Sequence, residues 1–175
     1  YYASRGLGDV YKRQITFCDA FNIPVLSLTN VTGYAACECC EKKIAKAVAK
    51  LTYAFANATV PKVNVVIDKA FGTAAVAMNS KAIGADPTIA WENAEIGAMN
   101  AKDAAMIMYD GQGADVINEK AAEYAALQTS AEGAAKRGYV DQIISAADTR
   151  KYVIGAFEML FTKREERPSK KHGTL

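Results

Sequence analysis

Apolar and polar positions along the 175-residue chain alternate between two periods, one suited to strands and one to helices. Residues 15–22 read as the end of a helix, and Pro24-Val-Leu-Ser-Leu-Thr29 as a short β-rich run bounded by Pro and Asn. Ile44, Val48, Leu51 and Phe55 then recur at helical spacing while Lys42, Lys43, Lys46 and Lys50 occupy other faces, which predicts an amphipathic helix over 41–56. Val63-Asn-Val-Val-Ile67 predicts a buried strand, followed by a turn at Gly72 and a small-residue helix through Ser80. Residues 88–91 and 95–98 predict short strands, 101–109 a helix, and Gly111-Gln-Gly113 a break. An Ala-rich helical stretch comes next over 116–130, then a strand over 138–144. A last helix carries Val153, Ala156, Phe157, Leu160 and Phe161 on one face, with Asp148 as its expected N-cap. Repeated strand-then-helix units predict an α/β domain with mainly parallel pairing.

Composition sharpens this picture at the ends. At 51% hydrophobic, the chain suits one domain with a continuous core. Residues 1–14 show neither period and differ sharply in composition from the rest of the chain, so they are expected to be a non-native leader that resembles a translated cloning or adapter scar. The domain proper is expected over 15–175. The formal net charge of +2 lies in that leader, through Arg5, Lys12 and Arg13 against Asp9. The body is neutral, and Lys and Arg are scattered except in the tail from Lys163 to Lys171, so a nucleic-acid partner is not expected. No membrane-length apolar run and no secretory signal is present, which predicts a soluble cytoplasmic protein.

Candidate chemistry is sparse. Cys37, Cys39 and Cys40 crowd what reads as a loop, with Cys18 apart, and no second Cys or His cluster completes a metal site, so no metal is expected. The single histidine, His172, stands three residues from the end, which argues against Ser-His-Asp or Cys-His catalysis. The informative stretch is 63–78, a buried strand entering a Gly-centred turn and then a helix of small residues. Such a turn can present backbone amides to an oxyanion, although close helix packing would use the same residues.

Four segments carry a family resemblance: Asn57-Ala-Thr-Val-Pro-Lys-Val63, Lys69-Ala-Phe-Gly-Thr-Ala-Ala-Val-Ala-Met-Asn-Ser-Lys81, Ala90-Trp-Glu-Asn-Ala-Glu-Ile96 and Arg137-Gly-Tyr-Val-Asp141. With the ending Arg167-Pro-Ser-Lys-Lys-His-Gly173, the chain resembles the carboxyltransferase subunits of propionyl-CoA and methylmalonyl-CoA carboxylases, transcarboxylase and sodium-pumping decarboxylases. The resemblance runs over 15–175. It implies a single crotonase-like (ClpP/crotonase) α/β domain, a spiral of ββα units, forming the C-terminal half of a subunit whose N-terminal partner domain is missing.

The resemblance also implies a function, transfer of a carboxyl group between carboxybiotin and an acyl-CoA. The biotin rides on a separate carrier protein and the coenzyme A thioester is the substrate. Two backbone amides that hold the biotin oxygen match Thr73 and Ala74, flanked by Phe71 and Gly72. Val76 stands where propionyl-type relatives carry Asp, on the wall near the acyl group. The family's Asp-Val-Pro-Gly-Phe loop corresponds to Asn30-Val-Thr-Gly-Tyr34, which places Gly33 and Tyr34 at the substrate. Implied partners are the biotin carboxyl carrier protein, the N-terminal domain of the same subunit type, further copies in a hexamer, and biotin carboxylase or membrane decarboxylase subunits according to the parent enzyme. The isolated half is expected to be inactive alone. Two alternatives stand beside this reading: a crotonase-type hydratase or isomerase using Glu92 and Glu95, and a catalytically silent oligomerisation fragment.

Overall fold

The computed structural model describes residues 8–34 and 38–168. Among these residues five strands form one parallel sheet: β1 (Val25–Val31), β2 (Lys62–Phe71), β3 (Thr88–Trp91), β4 (Glu95–Gly97) and β5 (Gln142–Ile144). The order is β1-β2-β3-β5, with β4 also paired to β2. Among the described residues seven α-helices surround the sheet: α1 (Gly8–Ala20), α2 (Glu38–Asn57), α3 (Gly72–Ala77), α4 (Ala101–Met108), α5 (Ala114–Tyr124), α6 (Ala131–Lys136) and α7 (Thr149–Met159).

β2 organises the domain because it has two successive partners on one edge. Asn64, Val65 and Val66 pair with Thr88, Ile89 and Ala90 of β3, whereas Lys69, Ala70 and Phe71 pair with Glu95, Ile96 and Gly97 of β4. This second pairing carries the strand past Ile67, where the apolar run ends. A central parallel strand is covered on both faces, so Val63, Val65 and Val66 are all buried. Each such side chain contributes about 1.5–3 kcal/mol by leaving water. Val63, Val65, Ile89 and Ile144 pack with Ala156 of α7, while Val66, Ala70 and Ala90 pack with Ala131 and Ala134 of α6.

Aspartates fasten the starts of the strands. Asp86 exchanges bonds with the first residue of β2, its carboxylate accepting from Lys62 N at 2.8 Å and its own N–H donating to Lys62 O at 2.9 Å. Asp141 does the same for β3, accepting from Thr88 N at 2.9 Å and donating to Thr88 O at 2.8 Å. Asp86 also pairs with Lys163 beyond α7, at 2.9 Å. Beside this pair the fully buried Lys62 ammonium donates to Phe55 O at 2.7 Å. Burial pushes its pKa below the ordinary lysine value, and the Lys163 and Arg167 cations push the same way.

Several sequence expectations need correction. The helix expected to be under way at residue 15 begins at Gly8, and Tyr11 packs with the cluster of Ile15, Leu51 and Phe55. The helix after Gly72 ends at Ala77 rather than Ser80, because Asn79 turns into the left-handed region at φ 55° while fully buried. The Ala-rich stretch is not one helix. It widens to a π-turn over Ala125–Thr129, and Ser130 then caps α6 by accepting from Gly133 N at 3.1 Å. The strand expected over 138–144 shrinks to Gln142–Ile144, since Gly138 adopts φ 80° and Asp141 is bound to Thr88.

Asp148 makes no side-chain cap; it lies in a 3₁₀ turn, Ala146–Asp148, that runs straight into α7. Phe161 falls beyond the helix and is 82% exposed, whereas Val153, Phe157 and Leu160 do pack on the core. Cys39 and Cys40 belong to the first turn of α2, not to a loop, and Cys37 and His172 lie outside the described residues. Among the described residues no group of His, Cys, Asp or Glu is placed to hold a metal ion, and no helix is long and apolar enough to cross a membrane.

Candidate active site

Ligand sites in open parallel sheets form at the carboxyl ends of the strands. Here three adjacent strands, β1, β2 and β4, end around a cavity of about 320 Å³, within the range of small-molecule sites. Thr32, Gly33 and Tyr34 come after β1; Phe71, Gly72, Thr73 and Ala74 join β2 to α3; Ala98, Met99, Asn100 and Asp103 join β4 to α4.

Gly72 makes the strand-to-helix corner possible. Its φ is 64°, and an added Cβ would stand 3.3 Å from the carbonyl oxygen of Ala98 across the cavity wall. Both the left-handed backbone and the close approach favour glycine. Phe71, extended at φ −112° and ψ 140°, leads into it and is buried, as is Ala74; Thr73 between them is exposed. The amides of a helix's first turn have no acceptor within the helix, so this corner concentrates donors where three strands end.

Sequence reasoning singles out seven residues. The structure brings Phe71, Gly72, Thr73, Ala74, Gly33 and Tyr34 to this one cavity and leaves Val76 off its lining. Val76 is 41% exposed, so it is not filling the core either. The Tyr34 hydroxyl is buried and has no hydrogen-bond partner among the described residues. Glu92 and Glu95, the candidates for hydratase chemistry, are exposed and do not line the cavity.

Sequence reasoning missed Thr32, Ala98, Met99, Asn100 and Asp103. The last two carried a signal, since an Asn followed three residues later by an acid is a helix-start pattern. Asn100 does cap α4, accepting from Lys102 N at 2.9 Å.

A family model described as a carboxyl transferase domain matches residues 11–175. The chain belongs to the carboxyl transferase family. Among curated relatives, it is 44% identical over 174 residues to the propionyl-CoA carboxylase beta chain of Saccharopolyspora erythraea, covering 93% of this chain and 32% of that protein. It is 42% identical over 168 residues to the methylmalonyl-CoA carboxyltransferase 12S subunit of Propionibacterium freudenreichii subsp. shermanii, covering 92% of this chain and 32% of that one. The crystal structure of transcarboxylase 12S, a hexamer with hydrolysed methylmalonyl-coenzyme A bound, superposes with a TM-score of 0.91 at 40% identity over 95% of this chain and 33% of that one.

The beta subunit of P. aeruginosa geranyl-CoA carboxylase superposes at a TM-score of 0.77 with 23% identity, a likeness of fold. This carboxyl transferase domain therefore has the crotonase-like α/β fold, and it spans about a third of the length of the curated relatives it matches. The family match crosses residue 15, as α1 does.

Proposed function

We propose that this domain serves biotin-dependent carboxyl transfer to or from an acyl-CoA of the propionyl or methylmalonyl type, and that it is the half that holds the biotin head. The observation that carries the reading is the corner at 71–74, where a glycine with φ 64° starts a helix at the carboxyl ends of three parallel strands. Carboxybiotin supplies an activated carboxyl group, and negative charge gathers on its ureido oxygen as that group leaves. The backbone N–H groups of Thr73 and Ala74 meet that charge as fixed donors, which need no reorganisation at the moment of reaction. Phe71, Gly33 and Tyr34 line the same cavity, and Gly72 keeps the approach open. Backbone donors suit a domain in which no histidine lies among the described residues.

The thioester enolate needs donors of its own, which this reading assigns to an N-terminal domain of the subunit. The 12S transcarboxylase likeness supports assembly with further copies, and in this reading the biotin arrives on a separate carrier protein. The cellular setting proposed is the cytoplasm.

The test is Ala74→Pro in a subunit of the relatives' full length, since proline removes one N–H. Loss of one oxyanion donor lowers the rate of transfer by roughly a hundred to a thousandfold. A variant that folds as the parent does and transfers carboxyl groups at the parental rate overturns the assignment.

A further inference from the structure

The cavity contains one charged group that the fold does not use. Asp103 is the third residue of α4, and a carboxylate there ordinarily reaches back to the amide of the N-cap residue to complete a capping box. That bond is not made. Asn100 caps the helix through Lys102 N, and among the described residues Asp103 accepts no hydrogen bond and pairs with no cation. It is exposed, on the same cavity lining as Thr73 and Ala74.

An ionised carboxylate only accepts hydrogen bonds, whereas the backbone N–H groups of the corner only donate. The presence of donors and of an acceptor on one cavity lining matches a cyclic urea, which presents a carbonyl oxygen flanked by ring N–H groups. After carboxylation on one nitrogen, one ring N–H remains. A site that held only the oxygen would leave that donor without an acceptor as it is desolvated, which costs free energy. An acyl thioester offers no N–H at its reactive end, and coenzyme A is anionic, so a bare carboxylate disfavours that end of the reaction.

Resting on the biotin-head reading above, we propose that Asp103 accepts a hydrogen bond from the ring N–H of the bound biotin head and so selects for a cyclic urea at this cavity. The experiment is a protein-observed amide NMR titration of the isotope-labelled 175-residue chain with free biotin and with biotin methylated on both ring nitrogens, using the parent, Asp103→Ala and Asp103→Asn. Asp103→Ala weakens biotin about tenfold, as expected for loss of a charge-assisted bond. Asp103→Asn, which keeps an acceptor oxygen and the side-chain volume, falls between. The dimethylated ring binds parent and Asp103→Ala equally. If biotin shifts the amides of Thr73 and Ala74 but binds parent and both variants with one affinity, Asp103 has no such role and the functional reading survives. If the parent does not bind biotin at all, both fall.

Discussion

Adding one methyl group at Gly72 should destabilise the domain and spoil the cavity together. At φ 64° an alanine enters the left-handed region, which costs about 1–2 kcal/mol for an L-residue. Its Cβ would also meet the Ala98 oxygen at 3.3 Å, a distance at which the loop between β4 and α4 must give by a few tenths of an ångström. For a chain of this size each kcal/mol lowers Tm by about 2–4 °C, so Gly72→Ala should melt about 2–8 °C below the parent. Gly155→Ala is the internal contrast. That glycine lies within α7 with open space around its Cα, so the same methyl group should stabilise by about 0.5–1 kcal/mol. Thermal and urea unfolding of both variants read the two signs directly. A Gly72→Ala protein as stable as the parent would refute the claim that the corner demands glycine.

The strand-start clamps and the core lead to further expected outcomes. Asp86→Asn removes one of the two carboxylates paired with Lys163, leaving Glu165 at 3.3 Å, and weakens the clamp on Lys62 N, so urea unfolding should show a loss of about 1–2 kcal/mol. Lys62 holds its proton less tightly folded than unfolded, so the unfolded chain binds more protons between the lowered folded value and 10.5, and stability should rise with pH across that window. Lys62→Met removes this rise, and urea midpoints at neutral pH and at about pH 10 should show the parent gaining on the variant. Phe161→Ser should change stability by less than about 0.5 kcal/mol, whereas Phe157→Ala, which opens the cluster beneath α7, should cost about 3 kcal/mol by thermal melts.

The features legible in the sequence and those hidden from it divide along local and non-local lines. Val63 to Ile67 stand out as a short, largely apolar run of the kind a strand covered on both faces needs, and the Ile44, Val48, Leu51, Phe55 stripe of α2 stands out by spacing, because burial on one helix face repeats with the helix's own period. The extension of β2 to Phe71 does not, since it depends on β4 pairing with Lys69, Ala70 and Phe71 from 26 residues along the chain (95 − 69 = 26). That same pairing brings Ala98, Asn100 and Asp103 to the cavity, which is why they escaped notice while Phe71 to Ala74 did not.

The helix over 116–130 failed for a different reason. Alanine propensity is uniform along it, whereas the break comes from the single Ser130 side chain capping α6. Asn79 was hidden because a left-handed asparagine is decided by its surroundings, here a buried seat where its amide lies 3.5 Å from Val63 O. Residues 1–14 stand out by composition, and the start of α1 at Gly8 is set by a non-local contact, Tyr11 packing on the cluster that holds Ile15 and Leu51.

Amide chemical shifts of the labelled domain during addition of free biotin test most directly whether the corner at 71–74 holds a biotin head through its backbone amides. The largest changes should fall on Gly72, Thr73 and Ala74, with smaller ones on Ala98, Asn100 and Asp103 of the same lining. Shifts confined to the separate groove lined by Tyr11, Ile15, Leu26 and Phe55, or no shift at saturating biotin, would contradict it.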